Sequence, residues 1–265
     1  MTTLACIIPT LGVRPQIFET ISSVTSDASE IIVVVNGEIY DREILNRLGN
    51  LDGVKLLKNS KASTTDARQI GIDQASSEWI SFCDDDDLWI GGRVKLLNLS
   101  NVELITGRSK WIFASGKSTI YPQLRRKKND TLVKHMFRTS LLGEANIFSP
   151  NAAIIKRSYL LRVPWQSGTP LKDGHTFEDI QWAARASSTG IRWYDSSRLI
   201  CIANRGTLNS ITEQKKSQNY IEHCHEVISL LNGLGFSNEA RKFYCHSVMP
   251  FTDRLEVNML LKSIP

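Results

Sequence analysis

Residues 78–89 read Glu-Trp-Ile-Ser-Phe-Cys-Asp-Asp-Asp-Asp-Leu-Trp. An apolar run through Trp79, Ile80, Phe82 and Cys83 stops at four consecutive carboxylates, Asp84 to Asp87. A short apolar run with so abrupt a boundary predicts a buried strand. The acids then lie at its carboxyl end, where open α/β sheets bind ligands. Four adjacent anions repel one another unless positive charge or water relieves them. A hard divalent cation, held by one or two carboxylates together with substrate phosphates, would do so. The competing reading is a solvated acidic turn, although turns rarely follow so apolar a run directly.

The surrounding pattern fits that placement. Leu4 to Pro9 is an apolar run closing on Pro9-Thr10, and Ile17, Ile21 and Val24 then recur at helical spacing. Ile31 to Val35 is a β-branched run that stops at the turn pair Asn36-Gly37. Val54 to Leu57 predicts a third strand, and Ser63 with Asp66 resembles a capping box opening a helix through about Ala75. Strands alternating with helices imply a mostly parallel sheet covered on both faces. After about residue 100 the alternation breaks down. Val102–Thr106, Trp111–Ser115, Ala152–Lys156 and Cys201–Ala203 are expected to be strands of mixed direction. Residues 213–232 predict an amphipathic helix with Ile221, Cys224, Ile228 and Leu231 on one stripe, ended by Gly233 and Gly235. Helical spacing continues over 237–262, interrupted at Pro250.

Hydrophobic content of 42% and a length of 265 residues suit a soluble chain with a full core. No run has the apolar length of a bilayer span, and the opening Met1-Thr2-Thr3 has no charged n-region. Cys6, Cys83, Cys201, Cys224 and Cys245 have no close-paired spacing, which fits reduced thiols and a cytoplasmic location. The net charge of +5 is partly local, in Arg125, Arg126, Lys127 and Lys128. That run fits either a solvated loop or a peripheral contact with anionic lipid or a phosphorylated acceptor. It lacks interleaved aromatics, and the central acidic cluster would repel a phosphate backbone, so no nucleic-acid partner is expected.

Four motifs in order carry a resemblance: Ile-Ile-Pro-Thr at 7–10, Val-Asn-Gly at 35–37, Ala-Arg-Gln-Ile-Gly at 67–71, and Asp-Asp-Asp-Asp-Leu-Trp at 84–89. Together they resemble the family 2 glycosyltransferases, strongly over residues 4–95 and weakly to about 210. The resemblance implies the GT-A fold over residues 1–212, with 1–100 as the nucleotide-sugar half, 101–212 as the acceptor half, and 213–265 as a helical extension. It also implies an Asp-x-Asp motif. Asp84 would meet the donor ribose or the metal shell, Asp85 would sit in the donor site, and Asp86 would ligate Mn2+ or Mg2+. Pro9 and Thr10 would line the nucleoside pocket, and Arg68 would pair with the diphosphate or the aspartates. Asn36 stands where the family commonly has an acid that contacts the base, so uridine is expected first, with thymidine and guanosine open. Arg205 matches a late Arg-x-His stretch but no histidine follows it.

A second acidic pair, Glu178-Asp179, precedes Trp182, Ala183 and Ala186, which fit the buried side of a helix. Taken alone the pair is an ordinary N-terminal complement to the helix dipole. By the resemblance, Asp179 is the general base and Glu178 positions the acceptor. Arg185 matches an arginine that follows such pairs, and His175 is placed to bind acceptor or to be an ordinary loop residue. His223 and His225, two apart on a helix, point to different sides and do not make a zinc site. Trp89 and Trp111 fit either a sugar face or the core. The expectation is an inverting transfer from a nucleoside-diphosphate sugar to a glycan, lipid-linked or protein hydroxyl. The alternative is a degenerate GT-A protein acting as a scaffold. A nucleotidyltransferase is disfavoured, because the loop after the first strand, Thr10 to Arg14, holds one glycine.

Overall fold

The computed structural model describes residues 2–61, 63–99, 101–122, 126–140, 149–165, 177–205 and 218–247. Its contacts divide the chain into two units. The first comprises Met1–Arg125, Ser149–Gln166 and Ile191–Leu208, and the second Arg126–Phe148, Ser167–Gly190 and Asn209–Pro265.

The first unit is a mixed sheet with flanking helices. Its leading strands are β1 (Leu4–Thr10), β2 (Glu30–Asn36), β3 (Val54–Asn59) and β4 (Trp79–Phe82). Between them run α1 (Ile17–Val24), α2 (Arg42–Gly49) and α3 (Thr64–Gln74). β1 and β4 are buried at every position, as expected of apolar strands covered on both faces. β1 pairs in parallel with β2 on one side and β4 on the other, and β2 pairs in parallel with β3. Then come β5 (Leu88–Trp89), β6 (Leu104–Phe113), β7 (Ser118–Tyr121), β8 (Ala153–Lys156) and β9 (Trp193–Arg205), with α5 (Arg157–Arg162) after β8. The sheet order is β3-β2-β1-β4-β8-β6-β9-β5, with β7 on β6.

Ser63 caps α3, its hydroxyl accepting from the Asp66 amide at 3.1 Å, but the expected box does not close, because the Ser63 amide donates to the Lys61 carbonyl. Helix α2 had no counterpart in the periodicity, and it is opened by the Asp41 carboxylate, which accepts from the Glu43 and Ile44 amides. The expected strands at Val102–Thr106 and Trp111–Ser115 are instead one continuous strand, β6. Its polar middle reads as a loop, yet that middle is paired to β9, whose register shifts between Thr106 and Ser109. At the shift a Cβ on Gly107 would lie 2.6 Å from Ile200 Cδ1 and 2.8 Å from the Arg198 carbonyl, so only glycine fits. The expected strand at Cys201–Ala203 is likewise a piece of the longer β9.

The second unit contains α4 (Leu132–Ser140), α6 (Glu178–Ser188), α7 (Gln218–Gly233) and α8 (Ser237–Ser247). Helix α6 buries Ile180, Trp182, Ala183, Ala184 and Ala186, and α7 buries Cys224, Val227, Ile228 and Leu231. Phe243 on α8 packs edge-on against Phe137 of α4 and against Phe177, with ring centroids 6.1 and 5.3 Å apart. The helical expectation for 213–217 and 248–262 lies outside the described residues, as does His175. Among the described residues no helix is long and apolar enough to cross a membrane.

Gly71 shows how tightly α3 seats on β1, since a Cβ there would collide with Ile7 Cγ2. Helix propensity alone favours alanine by about 1 kcal/mol. Overpacking is expected to win, so Gly71→Ala should lose about 1–3 kcal/mol, read as a lower urea midpoint. An unchanged midpoint would mean that Ile7 gives way.

Candidate active site

The chain builds β1, β2 and β3 outward on one side and then returns to place β4 on the other side of β1. Such a reversal opens a crevice at the strand carboxyl ends. Thr10 closes β1 there, and the four aspartates leave β4 beside it. They form a tight turn, the Asp87 amide donating to the Asp84 carbonyl at 3.0 Å. It is a turn, but not a solvated one. Asp85 and Asp87 are buried, at 7% and 0% exposure, whereas Asp84 and Asp86 stay partly accessible.

Each carboxylate meets its own donors. The Thr10 hydroxyl donates to Asp85 Oδ2 at 2.6 Å and accepts from the Gly12 amide. Arg14 Nη1 donates to Asp85 Oδ1 at 3.1 Å and to Asp86 Oδ2 at 3.0 Å. Arg68, in the first turns of α3 and buried, donates from Nη2 to Asp84 Oδ1 at 2.9 Å. Its guanidinium lies 5.6 Å from the Phe82 ring centroid and 5.8 Å from that of Trp165. Burial pushes the Asp85 carboxyl above the usual carboxylate range. The Thr10 hydroxyl and Arg14 pull it down, and the Asp86 and Asp84 charges push it further up.

Two asparagines that sequence reasoning missed complete the turn. Asn151 Nδ2 bridges Asp84 Oδ2 at 2.8 Å and Asp87 Oδ2 at 2.5 Å. The Asn204 amide donates to Asp87 Oδ1 at 2.9 Å, and its side-chain nitrogen donates to the Asp86 carbonyl. Beneath them Arg93 is wholly buried. It donates to Ser81 Oγ at 2.7 Å and to the carbonyls of Asn151 and Ile200 at 2.8 and 2.6 Å. Its guanidinium stacks 4.0 Å over Trp89, which is core, donates to the Phe82 carbonyl and is not a sugar platform. Desolvation lowers the Arg93 pKa, and the Asp27 carboxylate opposes it. Burial in turn pushes the Cys6 and Cys83 thiols up, so they stay protonated.

Farther along the strand ends, Asn36 is 3% exposed and accepts from Asn59 Nδ2 at 3.1 Å. Asn59 Oδ1 accepts from the Lys61 amide, which fixes that amide's orientation and commits the Asn36 oxygen to the pair. Pro9 is buried within β1, in register with Val34. Arg205 ends β9, and its side chain lies outside the described residues.

Glu178 and Asp179 belong to the second unit, in the first turn of α6, and are half-buried. Asp179 Oδ1 accepts from the Ile180 amide at 2.8 Å. Phe177 just before them holds φ at 45°, a left-handed conformation that costs a bulky residue about 1–3 kcal/mol. Its ring contact with Phe243 helps to hold it there. Arg185, farther along the same helix, is half-buried and its pKa is lowered by desolvation.

The family model for Glycosyl transferase family 2 matches residues 5–160, more than half of the chain. The chain belongs to glycosyltransferase family 2. The matched span contains the acid turn, Arg68 and Asn151, and stops short of Glu178. Among solved structures, S. aureus TarS 1–349 in complex with UDP-GlcNAc is 15% identical with a TM-score of 0.65, covering 93% of this chain and 74% of that one. The same TarS fragment in complex with UDP is 15% identical with a TM-score of 0.62, over 92% and 70% of the two chains. A longer S. aureus TarS structure is 17% identical with a TM-score of 0.63, over 92% of this chain and 43% of that one. These likenesses establish the GT-A fold of this glycosyltransferase. No curated protein matches the chain.

The donor set suits a hard cation. Among the described residues no three or more His, Cys, Asp or Glu side chains converge on one point. The accessible carboxylates of Asp84 and Asp86 offer oxygen ligands that leave the remaining positions to water and phosphate, the usual arrangement for Mg2+ with a nucleotide.

Two substitutions separate the roles within the turn. Because the folded pKa of Asp85 is raised, its ionisation costs stability above that pKa, and the cost fades as pH falls toward the ordinary value. Asp85→Asn should therefore raise Tm at pH 7 by about 2–4 °C, a gain of about 1 kcal/mol that shrinks on acidification. Asn151→Asp sets a third carboxylate against Asp84 and the buried Asp87. It should cost about 3 kcal/mol or more at pH 7, with partial recovery in acid. Thermal melts across pH would check both, and opposite signs would overturn this division.

Proposed function

We propose that this glycosyltransferase inverts the anomeric centre of a nucleoside-diphosphate sugar, a UDP-sugar first, with Asp84 and Asp86 as the metal ligands and Asp179 as general base. The observation that carries the donor half is the alternation within the acid turn. Asp85 and Asp87 are buried, while Asp84 and Asp86 stay partly accessible, held in place by Arg68, Asn151 and Arg14. The complexes of TarS with UDP and UDP-GlcNAc support a uridine nucleotide as the donor.

Asp84 and Asp86 would hold Mn2+ or Mg2+, which when bound supplies positive charge to the departing diphosphate. Arg68 orients Asp84 through a charge-assisted hydrogen bond. Thr10 and Asn36, at the ends of β1 and β2, line the nucleoside side. Asp179 takes the proton from an acceptor hydroxyl as that oxygen attacks the anomeric carbon. The bond from that carbon to the diphosphate breaks on the opposite face, so configuration inverts without a covalent intermediate. The acceptor is the hydroxyl of a glycan, a lipid-linked glycan or a protein.

Calorimetric titration with UDP and other nucleoside diphosphates, with and without Mn2+, tests the donor half. Asp86→Ala should lose the Mn2+-dependent part of UDP binding while its melting curve stays cooperative. Asp179→Asn should bind UDP as wild type does and lose about 10²-fold or more in transfer or donor hydrolysis. Wild-type turnover by Asp179→Asn would remove it as base. No nucleotide binding in the wild type would favour a degenerate scaffold instead.

A further inference from the structure

The two arginines on the acid turn are held differently. Arg68 is 4% exposed and packs against the adjacent rings of Phe82 and Trp165. Arg14 is 26% exposed, on the loop after β1, and one nitrogen serves both of its carboxylates. An ion pair made by a partly exposed side chain breaks more cheaply than a buried one, because water replaces what is lost. Asp85 keeps the Thr10 hydroxyl if Arg14 leaves. The Asp86 oxygen that Arg14 holds belongs to the carboxylate assigned above to the metal. A guanidinium 3.0 Å from that oxygen and a divalent cation on the same carboxylate would repel each other strongly.

We propose that Arg14 is an exchangeable counter-ion of the acid turn. It neutralises Asp86 in the metal-free protein and yields Asp86 when cation and nucleotide arrive together. Its guanidinium then turns to the diphosphate while its loop stays anchored at Thr10. This rests on the reading of Asp86 as a metal ligand. The negative charge of the diphosphate gives the displaced guanidinium a new partner, so cation and nucleotide each favour the other's binding. By linkage the factor is the same in both directions. Metal without nucleotide must instead displace Arg14 into solvent, and binds weakly.

The test is a Mn2+ titration followed by electron paramagnetic resonance, with and without saturating UDP. It uses wild type, Arg14→Gln, Arg14→Lys and Asp86→Asn, with melting curves alongside. In wild type, UDP should tighten Mn2+ binding, and absence of that coupling overturns the proposal without any variant. Simple bridging of metal and phosphate also produces coupling, so Arg14→Gln decides. Without UDP it should bind Mn2+ about tenfold more tightly than wild type, and the tightening by UDP should shrink. Arg14→Lys keeps the charge with a shorter reach, so without UDP it should bind Mn2+ as wild type does but show weaker UDP coupling; it serves if the glutamine variant does not fold, and UDP coupling equal to wild type there would overturn the exchange. Mn2+ affinity unchanged in Arg14→Gln, yet lost in Asp86→Asn, would overturn the exchange and leave the metal assignment standing. Mn2+ binding indifferent to Asp86→Asn would overturn both.

Discussion

A wholly buried carboxylate, that of Asp87, holds the site together. It accepts from Asn151 and from the Asn204 amide, residues 64 and 117 positions away. A buried ionised carboxylate without such donors would be severely penalised, so the fold supplies them from both flanking segments. Arg93 ties the same region from below through the carbonyls of Asn151 and Ile200, putting one buried cation under the turn and one buried anion within it. The partly accessible carboxylates of Asp84 and Asp86 therefore sit on a turn whose other half is tied down. That rigidity is what a pair of ligands needs if an ion is to meet them without reorganisation.

Local patterning made much of the first hundred residues legible. β1, β2, β3 and β4 are apolar runs with clear stops, and Ser63 with Asp66 announces α3. The weakest reading fell on β6, where polar residues in the middle of a strand suggested a break. Pairing to neighbouring strands overrode composition there, as it commonly does for strands. The acid turn was legible as chemistry, but the division of labour within it was not. Nothing in four identical aspartates tells which two face inward.

The partners of those aspartates were invisible for a different reason. Asn151 stands in an unremarkable stretch and Asn204 heads a segment read only for Arg205; both acquire a role only when β8 and β9 bring them to the turn. Arg93 follows two glycines in a segment that reads as exposed, and a charged residue is assigned to the surface by default. Arg14 belonged to a loop judged only for its lack of glycines. The Glu178-Asp179 pair was legible through its place at a helix start, yet it lies beyond the matched family span and in the other unit.

The strained turn into α6 carries a consequence for how such an enzyme diverges. Phe177 is held left-handed immediately ahead of Glu178 and rests edge-on against Phe243 of α8. The last described helix thus braces the backbone from which the acidic pair projects. Drift in the composition of that helix would register first in the alignment of the pair, and only afterwards in whether the chain folds. A helix that looks expendable in the sequence is in this way part of what fixes the geometry of that pair.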